Sequence, residues 1–238
     1  MKLSILVPIY NEEATLAKSL GRILAVTWPE DVEVEVVAVN DGSRDRSLQI
    51  MNEIDDPRLV VHSHSVNQGK GAAIRTASQI ASGDYMVICD ADLEYAPEEL
   101  PSLLEPVTRG EARVVFGTRT FTSHTAYSFL YVLGNRGVTL VANVLFNSYI
   151  SDLETCFKMM PLDLYRELDI VSAGFGMEAE VAGKLLGRGI RPYEVPISYV
   201  ARSREEGKKL TWKDGVEAVW ILGRQRAAAA RRHRDSRG

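Results

Sequence analysis

Short apolar, β-rich runs recur at Leu3–Val7, Val34–Val39, Leu59–His62, Tyr85–Cys89 and Val114–Gly117, and helix-patterned segments separate them. The helical stretches are Glu13–Leu24, the segment from Ser43 to about Ile54, Gly71–Ala81 and Pro97–Val107. Strands that alternate with helices return over a face of one sheet and so run parallel. The expectation is an α/β fold, Rossmann-like, with a mostly parallel central sheet flanked by helices. At 238 residues the chain can bury a substantial core in a single domain. We place that domain at residues 1–210, followed at 211–238 by a helix and a basic tail.

Open parallel sheets bind ligands beyond the carboxyl ends of their strands. The polar motifs fall there: Pro8 to Glu12 after the first run, Asp41-Gly42-Ser43 after the second, and Asp90-Ala91-Asp92 after the fourth. Side chains two apart on an extended chain point the same way, so Asp90 and Asp92 are expected to face one point. Two like charges that close need a cation. Hard oxygen ligands suit Mg²⁺ or Mn²⁺ bridging a diphosphate. Taken alone, the Asp-x-Asp could be a solvated turn; three acidic loops at one sheet edge argue against that.

Other classes are excluded by what the residues lack. Gly71 stands where a phosphate-binding loop would carry Ser or Thr after Lys70. His62, His64, His124 and His233 show no metal-ligand spacing with one another or with Cys89 and Cys156, so zinc is not indicated. A net charge of -4 gives no global reason to expect nucleic acid. Two cysteines make no disulfide framework, and no signal-peptide pattern precedes Leu3.

Val7-Pro-Ile-Tyr-Asn-Glu12, Asn40-Asp-Gly-Ser-Arg-Asp45, Asn67-Gln-Gly-Lys-Gly71 and Asp90-Ala-Asp-Leu-Glu94, in this order, resemble the motif set of family 2 inverting glycosyltransferases. Gly174-Phe-Gly-Met-Glu178 and Arg202 with Gly207-Lys-Lys-Leu210 are similar to the branch that loads a sugar onto a polyprenyl phosphate, the dolichyl-phosphate mannose synthase-like enzymes. The resemblance implies a GT-A fold, a nucleotide-diphosphate sugar donor and Mg²⁺ or Mn²⁺. It implies that Pro8, Tyr10 and Glu12 line the nucleoside pocket and that Asp41 hydrogen-bonds the base. Lys70, between two glycines, and Ala91 would approach the donor. Asp90 and Asp92 would hold the metal and serve turnover, with Glu94 as a further ligand. Glu178 would hydrogen-bond the sugar or simply favour a helix N-terminus. Asn40 departs from the common Asp-Asp-Gly-Ser pattern and leaves the pocket one charge less acidic.

Inverting transfer is one displacement at the anomeric carbon, and charge develops on the departing nucleoside diphosphate. A metal and cationic side chains neutralise it; Arg202, Lys208 and Lys209 are the candidates. A phosphate acceptor is already anionic near neutral pH, its second pKa being about 6, and calls for basic residues beside the sugar. Arg119 and Arg136 answer that demand. A hydroxyl acceptor on a glycan or soluble molecule would instead need a base, and Asp152 is the candidate. A non-catalytic nucleotide-sugar-binding protein is the third alternative.

A polyprenyl acceptor lies in a bilayer. Apolar segments within 126–147, with Asn135 and Arg136 between them, are expected as paired interfacial helices. Arg224, Arg226, Arg231, Arg232, Arg234 and Arg237 near the end of the chain would attract anionic lipid. Relatives of this branch append transmembrane helices where this sequence shows none. The expectation is a peripheral protein on the cytoplasmic face of the membrane, docked to a separate small membrane protein.

Overall fold

The computed structural model describes residues 1–119, 129–174, 176–200 and 212–235. The first half follows the sequence pattern closely: β1 (Lys2–Ile9), α1 (Leu16–Leu24), β2 (Glu33–Asn40), α2 (Ser47–Asn52), β3 (Leu59–Ser63), α3 (Lys70–Ile80) and β4 (Tyr85–Ile88). A 3-10 turn at Pro97–Glu99 leads into α4 (Leu100–Thr108), then β5 (Val115–Thr118) and α5 (Phe129–Phe146). The rest comprises β6 (Lys158–Pro161), α6 (Leu162–Glu167), α7 (Met177–Leu186), β7 (Tyr193–Pro196) and α8 (Trp212–Asp235).

The strands form one sheet in the order β3-β2-β1-β4-β6-β5-β7. Neighbouring pairs run parallel, as in Leu3↔Val34 and Leu3↔Tyr85, except where β6 lies antiparallel between β4 and β5. In β1 every residue from Leu3 to Val7 is buried, which requires cover on both faces and explains a run that is apolar but for Ser4, whose hydroxyl donates to Glu35. α1 supplies part of that cover through Leu16, Leu20 and Ile23, spaced to share one helical face.

Two strands escape the sequence pattern. β6 and β7 have four residues each, and β6 begins with Lys158, a residue type that reads as surface yet is fully buried here. Lys158 Nζ donates to the carbonyls of Leu153 (3.0 Å) and Thr155, and lies 5.0 Å from the centre of the Phe116 ring. Those partners make an ammonium tolerable in the core.

The paired helices expected within 126–147 are corrected to one continuous helix, α5. The Asn135-Arg136-Gly137 stretch does not break it. Arg is a good helix former, and the two interior glycines, Gly134 and Gly137, cost only about 1 kcal/mol each, less than packing returns. α8 packs on both α5 and α7 and buries Ala218, Ile221 and Leu222. Among the described residues no helix is long and apolar enough to cross a membrane.

Candidate active site

Three loops meet at the carboxyl edge of β1, β2 and β4, and side chains bind them together. Asn11 N donates to Ser43 Oγ (3.0 Å), Glu12 N to Ser47 Oγ (2.9 Å) and Arg44 N to Asn11 Oδ1 (2.8 Å). Thr15 Oγ1 lies 2.9 Å from Glu12 Oε2 and 3.2 Å from the carbonyl of Ala91. Thr15 thus ties the loop after β1 to the Asp-x-Asp turn, a role that no motif signalled. Tyr10 and Glu12 are half-buried at this edge; Ala91 is buried.

Asp41 does not present its carboxylate to the pocket. It is 2% exposed, and it accepts from Gln68 N (2.9 Å), Gly69 N (2.7 Å) and His64 Nδ1 (2.8 Å). His64 in turn reaches Thr76 Oγ1 (2.9 Å). Asp41, expected at the donor base, here fixes the loop that starts α3. The glycines around Lys70 serve the fold as well. A Cβ on Gly69 or Gly71 would come within 2.4 or 2.1 Å of a backbone oxygen of Ala173 or Ser172, so the close approach they permit is to the protein's own 172–173 segment.

Lys70 bridges two carboxylates, with Nζ 2.8 Å from Asp90 Oδ2 and 2.8 Å from Glu178 Oε1. Burial alone would lower its pKa, but Asp90 and Glu178 outweigh burial and raise it well above the ordinary lysine value. Glu178 sits in the first turn of α7 and keeps Oε2 without a partner among the described residues.

β4 ends at Ile88, so Asp90 and Asp92 sit in a turn and not on an extended strand. Leu93 has φ 62°, a left-handed conformation that costs a residue with a Cβ on the order of 1 kcal/mol or more. Asp92 Oδ1 accepts from Glu94 N (3.0 Å). Glu94 itself is buried and bonds the hydroxyl of Tyr199. Glu94, expected as a further metal ligand, is here turned to Tyr199, and the described residues include no group of three acid, His or Cys side chains set for a metal. Asp90 and Asp92 remain an all-oxygen pair. That pair fits a hard divalent cation completed by phosphate oxygens, the ordinary habit of magnesium.

Arg119 and Asp152 satisfy each other. Nε and Nη2 of Arg119 meet Oδ2 and Oδ1 of Asp152 at 2.6 and 2.7 Å; Arg119 N (3.2 Å) and Asn135 Nδ2 (3.0 Å) add to the same carboxylate. Asp152 is 1% exposed. Although burial opposes it, Arg119 and Asn135 hold the Asp152 carboxyl below the usual range. Without a ligand, the Arg119 fork and the Asp152 carboxylate, expected at the acceptor, are turned on each other. The pair positions the start of the 152–157 segment. Arg136 is different. It is exposed on α5 and makes no hydrogen bond or ion pair among the described residues. Arg202, Lys208 and Lys209 lie outside the described residues; Val200, just before them, donates its N–H to the carbonyl of Glu94 (2.9 Å).

This sheet, with an acidic turn after β4 and loops converging at one edge, defines a glycosyltransferase of GT-A architecture. The chain belongs to glycosyl transferase family 2, whose model matches residues 4–168. Among curated proteins it is similar to the undecaprenyl-phosphate 4-deoxy-4-formamido-L-arabinose transferases of Aeromonas hydrophila, at 36% identity, and Pseudomonas aeruginosa, at 38%. Each match runs over 110 residues and covers 45% of this chain; the chain spans 34% and 32% of those proteins' lengths. Among solved structures it is similar to glucosyl-3-phosphoglycerate synthase from Mycobacterium tuberculosis in complex with Mn²⁺, UDP and glucosyl-3-phosphoglycerate, with TM-score 0.71, 20% identity and coverage of 95% of this chain and 80% of that one. S. aureus TarS in complex with UDP-GlcNAc gives TM-score 0.65 at 18% identity, over 94% and 66%. These structural likenesses establish the fold.

Proposed function

We propose that this glycosyltransferase moves a hexose or N-acetylhexosamine from a nucleotide-diphosphate sugar to a polyprenyl phosphate, with inversion. One observation carries the reading: the exposed face of α5. Phe129, Leu133, Arg136, Leu140 and Val144 follow one another at steps of three or four residues and so share one side of the helix. All five are exposed, while Val138, Thr139 and Ala142 on the other side are buried. An apolar stripe with one unpaired guanidinium at its middle matches the chemistry of an isoprenoid chain ending in a phosphate. The neighbouring residue Asn135 is bonded to Asp152, which joins the stripe to the site. The curated relatives, named for transfer involving undecaprenyl phosphate, support the same acceptor class.

Asp90 and Asp92 would hold Mg²⁺ or Mn²⁺, which when bound neutralises the charge of the departing diphosphate. The chain's own residues do the rest. Lys70 holds Asp90 and Glu178 in register, and the free Oε2 of Glu178 accepts a hydroxyl of the sugar. Thr155 Oγ1 and Asn135 Oδ1 are further buried polar atoms without partners among the described residues, as a polyhydroxylated ligand would require. The α5 stripe, with Trp220 and Arg224 exposed on the adjoining α8, seats the protein on the membrane surface.

The test is a panel of nucleotide sugars with Mg²⁺ or Mn²⁺ and a short polyprenyl phosphate, read by mass spectrometry. Glycolipid from one donor is the expected result. Donor hydrolysis without glycolipid, together with transfer to a soluble hydroxyl acceptor, would overturn the acceptor assignment.

A further inference from the structure

We infer that His64 is a positioning residue for the transfer reaction, acting through Asp41 to fix the loop that delivers Lys70 to Asp90 and Glu178. The inference rests on the glycosyl-transfer reading above but not on the acceptor's being a lipid.

His64 follows β3, and its backbone N–H bonds the carbonyl of Asn40 at the end of β2 (2.9 Å). The ring therefore stands beside Asp41, the next residue along. Its side chain is 6% exposed and that of Asp41 3%. A carboxylate only accepts, so the 2.8 Å contact places a hydrogen on Nδ1. Nε2 meets Thr76 Oγ1, in the middle of α3, at 2.9 Å. In the neutral ring Nε2 takes the Thr76 hydroxyl hydrogen, which holds the tautomer that Asp41 requires. One imidazole thus ties the ends of β2 and β3 to α3.

Between those anchors runs the loop that ends at Lys70. Asp41 receives Gln68 N at Oδ1 (2.9 Å) and Gly69 N at Oδ2 (2.7 Å), the two amides immediately before Lys70. The same loop lies directly on the end of β2, where a Cβ added to Gly42 would come within 2.4 Å of the Val66 carbonyl carbon. On its other side Ala72 N bonds the carbonyl of Ala173 (3.2 Å). Lys70 leaves this clamped stretch with Nζ 2.8 Å from Asp90 Oδ2 and 2.8 Å from Glu178 Oε1. Without the Nδ1 hydrogen, the buried Asp41 carboxylate loses a donor that water cannot replace, and the loop settles elsewhere. A shift of about 1 Å in a group at a reaction site can cost about 10²-fold in rate.

Asn and Gln separate the two ring nitrogens, because an Asn amide nitrogen stands near Nδ1 and a Gln one near Nε2. His64→Asn therefore keeps the donor to Asp41, while His64→Gln keeps only the contact with Thr76. Both are compared with the full-length wild-type chain, Lys70→Met and the double variant His64→Gln/Lys70→Met. The readouts are hydrogen–deuterium exchange and turnover of the nucleotide sugar that the donor panel selects. His64→Gln is expected to speed exchange over residues 66–70 by about tenfold or more and to lower kcat by about 10- to 10²-fold. His64→Asn should stay within about threefold of wild type in both. In the Lys70→Met background, adding His64→Gln should lower kcat by less than about threefold, since the two residues act as one unit. Equal effects of Asn and Gln, unchanged exchange in His64→Gln, or a full further loss in the Lys70→Met background would overturn the assignment. If His64→Gln does not fold, Thr76→Val should speed the same exchange and Thr76→Ser restore it; no difference between them would count equally against the inference. A panel without turnover of any donor would strike the glycosyl-transfer reading instead, and the exchange of Gln against Asn would still decide whether His64 sets the loop.

Discussion

Two glutamates at opposite ends of the sheet, Glu35 buried and Glu154 half-buried, show how partners decide the state of one residue type. Glu35, at the amino end of β2, receives Ser4 Oγ (2.5 Å), Ser82 N (2.6 Å) and Ser82 Oγ (2.8 Å), with Lys2 Nζ at 3.0 Å. Burial pushes its carboxyl up, but those donors outweigh burial and bring it down to about 2. Glu154, at the carboxyl edge, has no such donors, and the same burial carries it up to about 7. Every lone pair satisfied gives a clamp between β1, β2 and the start of β4. Lone pairs left open, beside other acids, leave a carboxyl that holds its proton more tightly than usual.

Substitutions that separate stability from turnover test this contrast. The largest effect is expected at the carboxyl edge. Asp92→Ala should cost at least about 10²–10³-fold in turnover while thermal melting stays near wild type; a comparable loss of stability would make the turn structural. At the amino end the reverse is expected. Glu35→Gln should lower stability at pH 7 by about 2–3 kcal/mol in urea unfolding and leave kcat unchanged. The pH window follows from the sign. A carboxyl held down binds fewer protons folded than unfolded, so its contribution is complete above the ordinary carboxylate range, near 4.5, and fades as pH falls toward about 2. The gap between wild type and Glu35→Gln should close over that range.

Glu154→Gln should behave oppositely. A raised carboxyl binds more protons folded than unfolded, so the wild type loses stability as pH climbs from about 4.5 to about 7. The variant should therefore match wild type at pH 4 and melt a few degrees higher at pH 8, a gain of about 1–2 kcal/mol after screening at its exposed side. Equal melting at both pH values would break the comparison. The smallest effect is expected at Arg136. Arg136→Ala should raise KM for a polyprenyl phosphate by about five- to tenfold, one charge-assisted contact, and leave donor KM alone. Equal weakening of both would remove Arg136 from the acceptor site.

The β-α rhythm placed the first four strands to within two residues, because buried parallel strands must be continuous apolar runs and little else forms them. The same pattern put the acidic loops at the right edge. It did not show that Asp41, Arg119 and Asp152 are held by the protein's own groups, since a charged residue in a loop looks the same whether it faces a ligand or a partner from 27 or 33 residues away. It did not single out the surroundings of Glu154 either. Nothing local reveals that Thr139, Tyr95 and Lys158 all spend their polar atoms on the turn around it.

By itself the sequence determined the architecture, the sheet edge that carries the site, and the acidic turn after β4, all set by local periodicity and the polar residues that end each strand. Tertiary structure alone decided which charges are spent and which are available. Arg119 is consumed by Asp152, Asp41 by the loop before α3 and Glu94 by Tyr199, while Glu154 and Arg136 are left open. The reason is physical: the state of a buried charge depends on partners that long-range folding brings within about 3 Å, where desolvation and hydrogen bonding compete on nearly equal terms.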